Sequence, residues 1–293
     1  MQPVTIGVCA HNEERNIENS LKAISSQQIE DFSIKEILVV SSGSTDRTNE
    51  IVRKYMEIDY RVSLIIQERR EGKYSAVNEI IREAKGDIIV LVNADNILAD
   101  SSLAHLLSPF KDESVGMAGG HPVPVNSPDT LAGFAVRMLW DLHHKVSLIV
   151  PKTGELIAFR NFKFQLPEGT NTDEDWIRME IERRGFKVVY VPEAIVYNRG
   201  PETVREFLKQ RVRVNIGEMY MKKRFGFTVP TWNATNLISP ILSFLKENKN
   251  DIWRIATTIF LELAVRSYAK AHVTLNRPDK YIWEMVESTK KVS

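Results

Sequence analysis

Gly86-Asp87-Ile88-Ile89-Val90-Leu91-Val92-Asn93-Ala94-Asp95 decides the fold. Gly86 stops whatever precedes it, Asp87–Val92 reads as a strand whose last five residues are apolar, and the run ends on an amide and a carboxylate. Upstream, Lys73–Ala84 has helical spacing and Val62–Gln67 is strand-like. Thr45–Met56 reads as a helix that Ser44 or Thr45 can cap, and Glu36–Val40 as a strand. Glu13–Ser25 is helical, with Ile17, Leu21 and Ile24 on one face, and Val4–Ala10 is an apolar, β-branched strand. Strands thus recur about every 25 to 30 residues with helices between them, the rhythm of βαβ units and a parallel sheet.

Downstream the pattern loosens. Gly116–Asn126 holds three Gly and two Pro and reads as a loop or short edge strand. Thr130–Val146 is helical, Gly154–Arg160 a strand, Trp176–Arg184 a helix, Phe186–Val191 a strand and Glu202–Arg224 a long basic helix. Leu237–Leu245 and Ile252–Val265 are apolar runs, the second broken by Arg254 and Glu262. Neither reaches the roughly 20 residues that span a bilayer. They are expected to pack on the domain or to lie at a membrane surface.

The chain has 293 residues and a net charge of +1, so it carries no global field for nucleic acid. Its one cysteine, Cys9, excludes an internal disulfide framework and reads as a buried structural thiol. Met1-Gln2-Pro3 leads straight into a strand without a charged leader, which points to a reducing, cytosolic compartment.

In parallel sheets ligands bind at the carboxyl ends of the strands. Here those ends carry Ala10-His11-Asn12-Glu13, then Ser41 through Asp46, then Asn93-Ala94-Asp95-Asn96. Asp95 is placed to hold a hard divalent cation with phosphate oxygens, or equally to cap a turn. Gly43-Ser44-Thr45-Asp46 would cap a helix or present its N–H groups to an anion. Asp173-Glu174-Asp175 either complement a helix dipole or supply a general base. Gln210-Arg211-Val212-Arg213 is a solvated basic face or a diphosphate clamp. His143 and His144 are adjacent on a helix, cannot share one metal, and read as structural.

Together, over about residues 3 to 225, these segments resemble the family 2 glycosyltransferases of GT-A fold. Ala10-His11-Asn12-Glu13 resembles the end of that family's first strand, and Val39–Thr48 its strand ending in Asp-Asp-Gly-Ser-Thr-Asp. Gly72, Lys73, Ala76 and Asn78 match its Gly-Lys-x-x-Ala-x-Asn helix start, and Asn93–Asp95 its Asp-x-Asp. Gly154–Arg160 resembles Gly-x-x-x-Ala-x-Arg, Glu174 or Asp175 falls on Glu-Asp, and Gln210 and Arg213 match Gln-x-x-Arg-Trp. Three departures stand out. Ser41 and Ser42 replace the acids before Gly43, Asn93 replaces the first acid of Asp-x-Asp, and Val214 stands where processive members place Trp. The last departure argues for single-sugar transfer.

The resemblance implies an α/β, Rossmann-like GT-A fold with a mostly parallel central sheet flanked by helices. The catalytic domain would cover 1–227, with nucleotide-sugar binding to about residue 120 and the acceptor side after it, and a helical extension would cover 228–293. It implies metal-dependent, inverting transfer of a sugar from a nucleotide-sugar donor to an acceptor hydroxyl or phosphate on a sugar or lipid-linked glycan. The protein would be cytoplasmic, peripheral on a membrane face, with no nucleic-acid partner. Asp95 would hold Mn²⁺ or Mg²⁺, and Asn93 would hydrogen-bond the ribose. Ala10, Asn12, Glu13, Ser42 and Asp46 would line the nucleoside pocket, while Lys73, Gln210 and Arg213 hold the diphosphate. The base would be Glu174, by an ungapped count back from Gly185, or Asp175, by matching letters.

Three other functions share parts of this pattern. A sugar nucleotidyltransferase expects a Gly-rich loop after the first strand, and an NAD-linked dehydrogenase expects Gly-x-Gly-x-x-Gly there. Ala10 to Glu14 contains no glycine. A catalytically impaired nucleotide-sugar-binding protein would account for Ser41, Ser42 and Asn93.

Overall fold

The computed structural model describes residues 1–277 and 287–290. Residues 278–286 and 291–293 of the expected extension lie outside the described residues. The first four long strands are β1 (Gln2–Ala10), β2 (Phe32–Ser42), β3 (Val62–Gln67) and β4 (Ile88–Asn93). They are followed by the short β5 (Ile97–Leu98), then β6 (Val115–Pro124), β7 (Leu156–Arg160) and β8 (Lys187–Asn198). Together they form one eight-stranded sheet in the order β3-β2-β1-β4-β7-β6-β8-β5. The pairs β3–β2, β2–β1, β1–β4 and β6–β8 are parallel, while β7 and β5 run antiparallel to their neighbours. The sheet is therefore mostly parallel, as expected.

Between the strands run α1 (Ile17–Ser25), α2 (Thr48–Met56), α3 (Lys73–Glu83), α4 (Ser102–Leu107), α5 (Leu131–Ser147) and α6 (Asp173–Arg183). The last α-helices among the described residues are α7 (Val204–Phe225), α8 (Thr235–Glu247) and α9 (Ile252–Thr274). Strand β4 has no polar alternation because helices cover both of its faces. Ile88, Val90 and Val92 join a core with Ile17, Leu21, Val52 and Leu103, while Ile89 and Leu91 join one with Val77, Ile80, Ile177 and Ile181. Burying each such side chain stabilises the fold by about 1.5–3 kcal/mol.

The structure corrects several expected elements: α2 starts at Thr48 rather than Thr45, α6 at Asp173 rather than Trp176, and β8 runs on to Asn198. Gly116–Asn126, expected as a loop or edge strand, forms β6, an interior strand between β7 and β8. Its glycines mark close approach. A Cβ on Gly116 would lie 2.4 Å from Phe186 Cβ, and one on Gly120 2.7 Å from the Ala194 carbonyl. The expected helix start at Glu13 moves to Ile17 because residues 13–16 form a turn. Asn16 N and Ile17 N both donate to the Glu13 carbonyl, and Glu13 N donates to Thr48 Oγ1 at 2.7 Å.

The C-terminal helices pack back on the fold, α8 against α5 and α9 against α7. Glu262 on α9 accepts both arms of the Arg211 guanidinium at 2.9 Å and Arg266 Nε at 2.9 Å. No helix among the described residues is long and apolar enough to cross a membrane.

Candidate active site

The carboxyl ends of β1, β2 and β4 open on one side of the sheet. There the chain encloses a cleft of about 580 Å³. Ala10, Glu13, Ser42, Lys73, Asn93, Asp95, Glu174, Asp175, Gln210 and Arg213 all line it. Two expected pocket residues do not. Asn12 sits in the left-handed region at φ 53° and accepts Thr45 N through Oδ1 at 2.8 Å. Asp46 accepts Thr48 N at 3.0 Å and Glu14 N at 3.0 Å. Burial pushes the Asp46 carboxyl up, but these hydrogen bonds outweigh it and leave it below the ordinary carboxylate range. Both residues lace the β1 and β2 loops together behind the cleft wall. The turn between them requires Gly43, at φ 61°, where a Cβ would lie 2.6 Å from Arg70 N.

The acidic end of the cleft is built around α6, whose first turn carries Asp173, Glu174 and Asp175. Lys73, the first residue of α3, places Nζ 2.9 Å from Asp173 Oδ2 and 2.9 Å from Glu174 Oε1. The three acids therefore differ. Burial raises Glu174, but Lys73 more than offsets it and holds the carboxyl below its usual range. Burial, joined by the neighbouring Glu174, pushes Asp173 up to about 6. Asp175 is raised to about 7 by burial, against the pull of Lys152 and with the added push of Glu218. Lys152 is itself held by Glu218, Nζ to Oε1 at 2.9 Å, and Glu218 accepts Trp232 Nε1 at 2.5 Å. Of the two acids the sequence left as base, Glu174 is tied by a lysine and Asp175 is the one poised near neutrality.

Cations face the acids. Burial pulls Arg213 below its usual range while Glu155, Glu174, Asp173 and Asp95 pull the other way. Arg70, at the end of the β3 loop, is lowered by burial and by Arg213. Two guanidiniums that repel one another across a cleft favour an anion between them. Sequence reasoning passed over Arg70, although Arg69-Arg70 stands just before the Gly72-Lys73 pair. Arg211, in the same basic segment, is instead bound to Glu262.

Glu155 was also missed. It lines the cleft beside Asp95 and accepts Asn93 Nδ2 at 2.8 Å. Burial raises its carboxyl, and Asp95 adds to the effect. Cys9, expected as a buried thiol, is half-buried on the cleft wall, and the surrounding protein pushes its thiol up to about 12. The cleft also has an apolar lobe, lined by Leu139, Trp140 and Leu142 of α5 and by Leu237, Ile241, Ile259 and Leu263 of the C-terminal helices. Ile241 and Ile259 pack against the cluster that holds Leu142.

Comparison with known proteins decides the family. The model of glycosyl transferase family 2 matches residues 5–170, and that of glycosyl transferase family group 2 matches residues 88–275. The chain belongs to glycosyltransferase family 2. Among curated proteins it is 26% identical over 230 residues to poly-beta-1,6-N-acetyl-D-glucosamine synthase of Staphylococcus aureus, covering 73% of this chain and 54% of that protein. It is also 26% identical over 238 residues to the probable glycosyltransferase YdaM of Bacillus subtilis, covering 76% of this chain and 56% of that one. The chain thus spans about half the length of the curated relatives it matches.

Solved structures share the fold. The mannosyltransferase PcManGT of Pyrobaculum calidifontis, in complex with GDP-Man and Mn²⁺, superposes with a TM-score of 0.60 at 23% identity, covering 93% of this chain and 79% of that one. The glucosyl-3-phosphoglycerate synthase of Mycobacterium tuberculosis, with Mn²⁺, UDP and glucosyl-3-phosphoglycerate, gives 0.53 at 17% identity, covering 77% and 81%. This family 2 chain therefore has the GT-A fold that its motif order implied.

Proposed function

We propose that this family 2 chain transfers a sugar from a nucleotide-sugar donor to an acceptor hydroxyl in one in-line displacement with inversion. The observation that carries the reading is the convergence, in one cleft, of Asp95, the Arg70–Arg213 pair and Asp175. The acceptor oxygen forms its bond to the anomeric carbon on the face opposite the diphosphate. Its proton passes to Asp175, and the anomeric carbon–oxygen bond breaks with its electrons leaving on the nucleoside diphosphate. A phosphate acceptor would arrive already ionised. Glu174 and Asp173 keep Lys73 charged toward the diphosphate, while Arg213, Arg70 and Gln210 bind its oxygens.

The donor set suits a divalent cation. Asp95 and Glu155 offer hard carboxylate oxygens, which match Mg²⁺ or Mn²⁺. No three His, Cys, Asp or Glu side chains converge on a metal position among the described residues. An ion here would therefore share its coordination with the donor diphosphate. When bound, it would neutralise charge building on the leaving group.

The apolar lobe supports a lipid-linked acceptor, and the helices around it support a membrane face. Ile238, Leu242, Trp253, Phe260 and Leu263 are each more than half exposed on α8 and α9. Release of nucleotide from UDP-, GDP- and dTDP-sugars, with Mn²⁺, Mg²⁺ or EDTA, tests the transferase reading. Metal-dependent nucleotide binding without release would favour an impaired binding protein, the reading that Ser41, Ser42 and Asn93 keep open.

A further inference from the structure

Asn93 ends β4 where an acid would double the charge of Asp95, and the amide removes that charge. The structure brings another carboxylate beside Asn93 and Asp95 from the segment that leads into β7. Glu155, just before β7, reaches across to β4, and its Oε2 accepts Asn93 Nδ2 at 2.8 Å and Asn96 Nδ2 at 3.1 Å. Its backbone lies in the left-handed region at φ 57°, which glycine adopts freely and glutamate rarely does. Two neutral amides orient this carboxylate without discharging it. Among the described residues neither Glu155 nor Asp95 has a lysine or arginine within ion-pair distance, and Lys73 and Arg213 act on them only from further away. Two such carboxylates on one cleft wall call for a cation between them.

We propose that Glu155, aimed by Asn93 and Asn96, faces the divalent cation beside Asp95 and restores the charge that Asn93 lacks. The proposal rests on the reading of Asp95 as the metal-holding residue. Asn93 becomes a positioning residue for the second acid rather than a weakened copy of the first. The chain thereby keeps two acids at the cation, with the segment before β7 supplying one of them.

The test is Mn²⁺ binding to the full chain with GDP or UDP present, followed by loss of the free-ion electron paramagnetic resonance signal. Glu155→Gln keeps the shape and a hydrogen-bond acceptor, and is expected to weaken Mn²⁺ binding about 10-fold or more. Adding Asn93→Asp to Glu155→Gln is expected to return most of that affinity. The thermal midpoint of each variant, measured alongside, separates lost binding from lost folding. If Asp95→Asn loses Mn²⁺ while Glu155→Gln binds as the parent does, the proposal is overturned and the Asp95 reading stands. If Asp95→Asn also binds as the parent does, the metal reading falls and takes the proposal with it. Weak binding by Glu155→Gln that Asn93→Asp does not rescue overturns the charge-replacement argument.

Discussion

Asp175 and Glu174 are neighbours in the sequence with opposite environments, and that contrast makes the sharpest residue-scale predictions. Asp175→Asn is expected to lower kcat by about 10²–10⁴-fold, the usual worth of a positioned base. Glu174→Gln is expected to cost less in kcat and more in donor KM, because its partner Lys73 faces the diphosphate. In the parent, kcat should rise with pH through about 7, as Asp175 loses its proton. Stability should move the other way. Asp175 holds its proton more tightly when folded than unfolded, so the native state binds more protons across that interval and loses stability as pH rises through it. Asp175→Asn should therefore raise Tm at pH 8 by at least about 2 °C while abolishing most turnover. A variant less stable than the parent at pH 8 would show that Lys152 holds Asp175 ionised against the push of Glu218. The acidic trio was legible as a candidate base in the sequence. Which member best suits the proposed role was not, since that depends on Lys73 arriving from α3 about a hundred residues earlier.

At the scale of elements, β4 and β6 show what a pattern can and cannot carry. Strand β4 could be read directly because an unbroken apolar run needs cover on both faces. Strand β6 reads as a loop or short edge strand because its glycines serve the neighbours, Phe186, Thr153 and Ala194, and not the strand itself. Asn12 and Asp46 show a related limit. The resemblance assigns them to the nucleoside pocket, whereas their hydrogen bonds here run between two loops. The join between α7 and α9 is also invisible in one dimension. Glu262, in the second apolar run, is 8% exposed and held by two arginines. Glu262→Ala leaves Arg211 without its partner and is expected to cost about 3–5 kcal/mol. Urea unfolding would check this, and a change under 1 kcal/mol would show that α9 is only loosely docked.

For the whole molecule, the GT-A architecture followed from the order of seven short segments, none of which is decisive alone. The cleft draws its walls from residues 9 to 289, so no local stretch announces it. Arg70 lies outside the matched motifs and Glu155 at an unspecified position inside one, and both gain meaning only from what the sheet sets opposite them. The exposed apolar flank of α8 and α9 is expected to bind phospholipid vesicles. Trp253→Ser with Phe260→Ser should reduce partition of the full chain at least several-fold, measured by co-sedimentation, without changing turnover of a water-soluble acceptor. Equal partition of parent and variant would remove the membrane reading and leave the catalytic one untouched.

The central claim is that the cleft binds a nucleotide-sugar through a divalent cation and activates it. Nucleotide release from the UDP-, GDP- and dTDP-sugar panel, with and without EDTA and with Asp95→Ala in parallel, tests it most directly. The expected result is release from one donor, restored by Mn²⁺ or Mg²⁺ after chelation and lost in the variant. No release from any donor, together with no metal-dependent nucleotide binding, would contradict the claim.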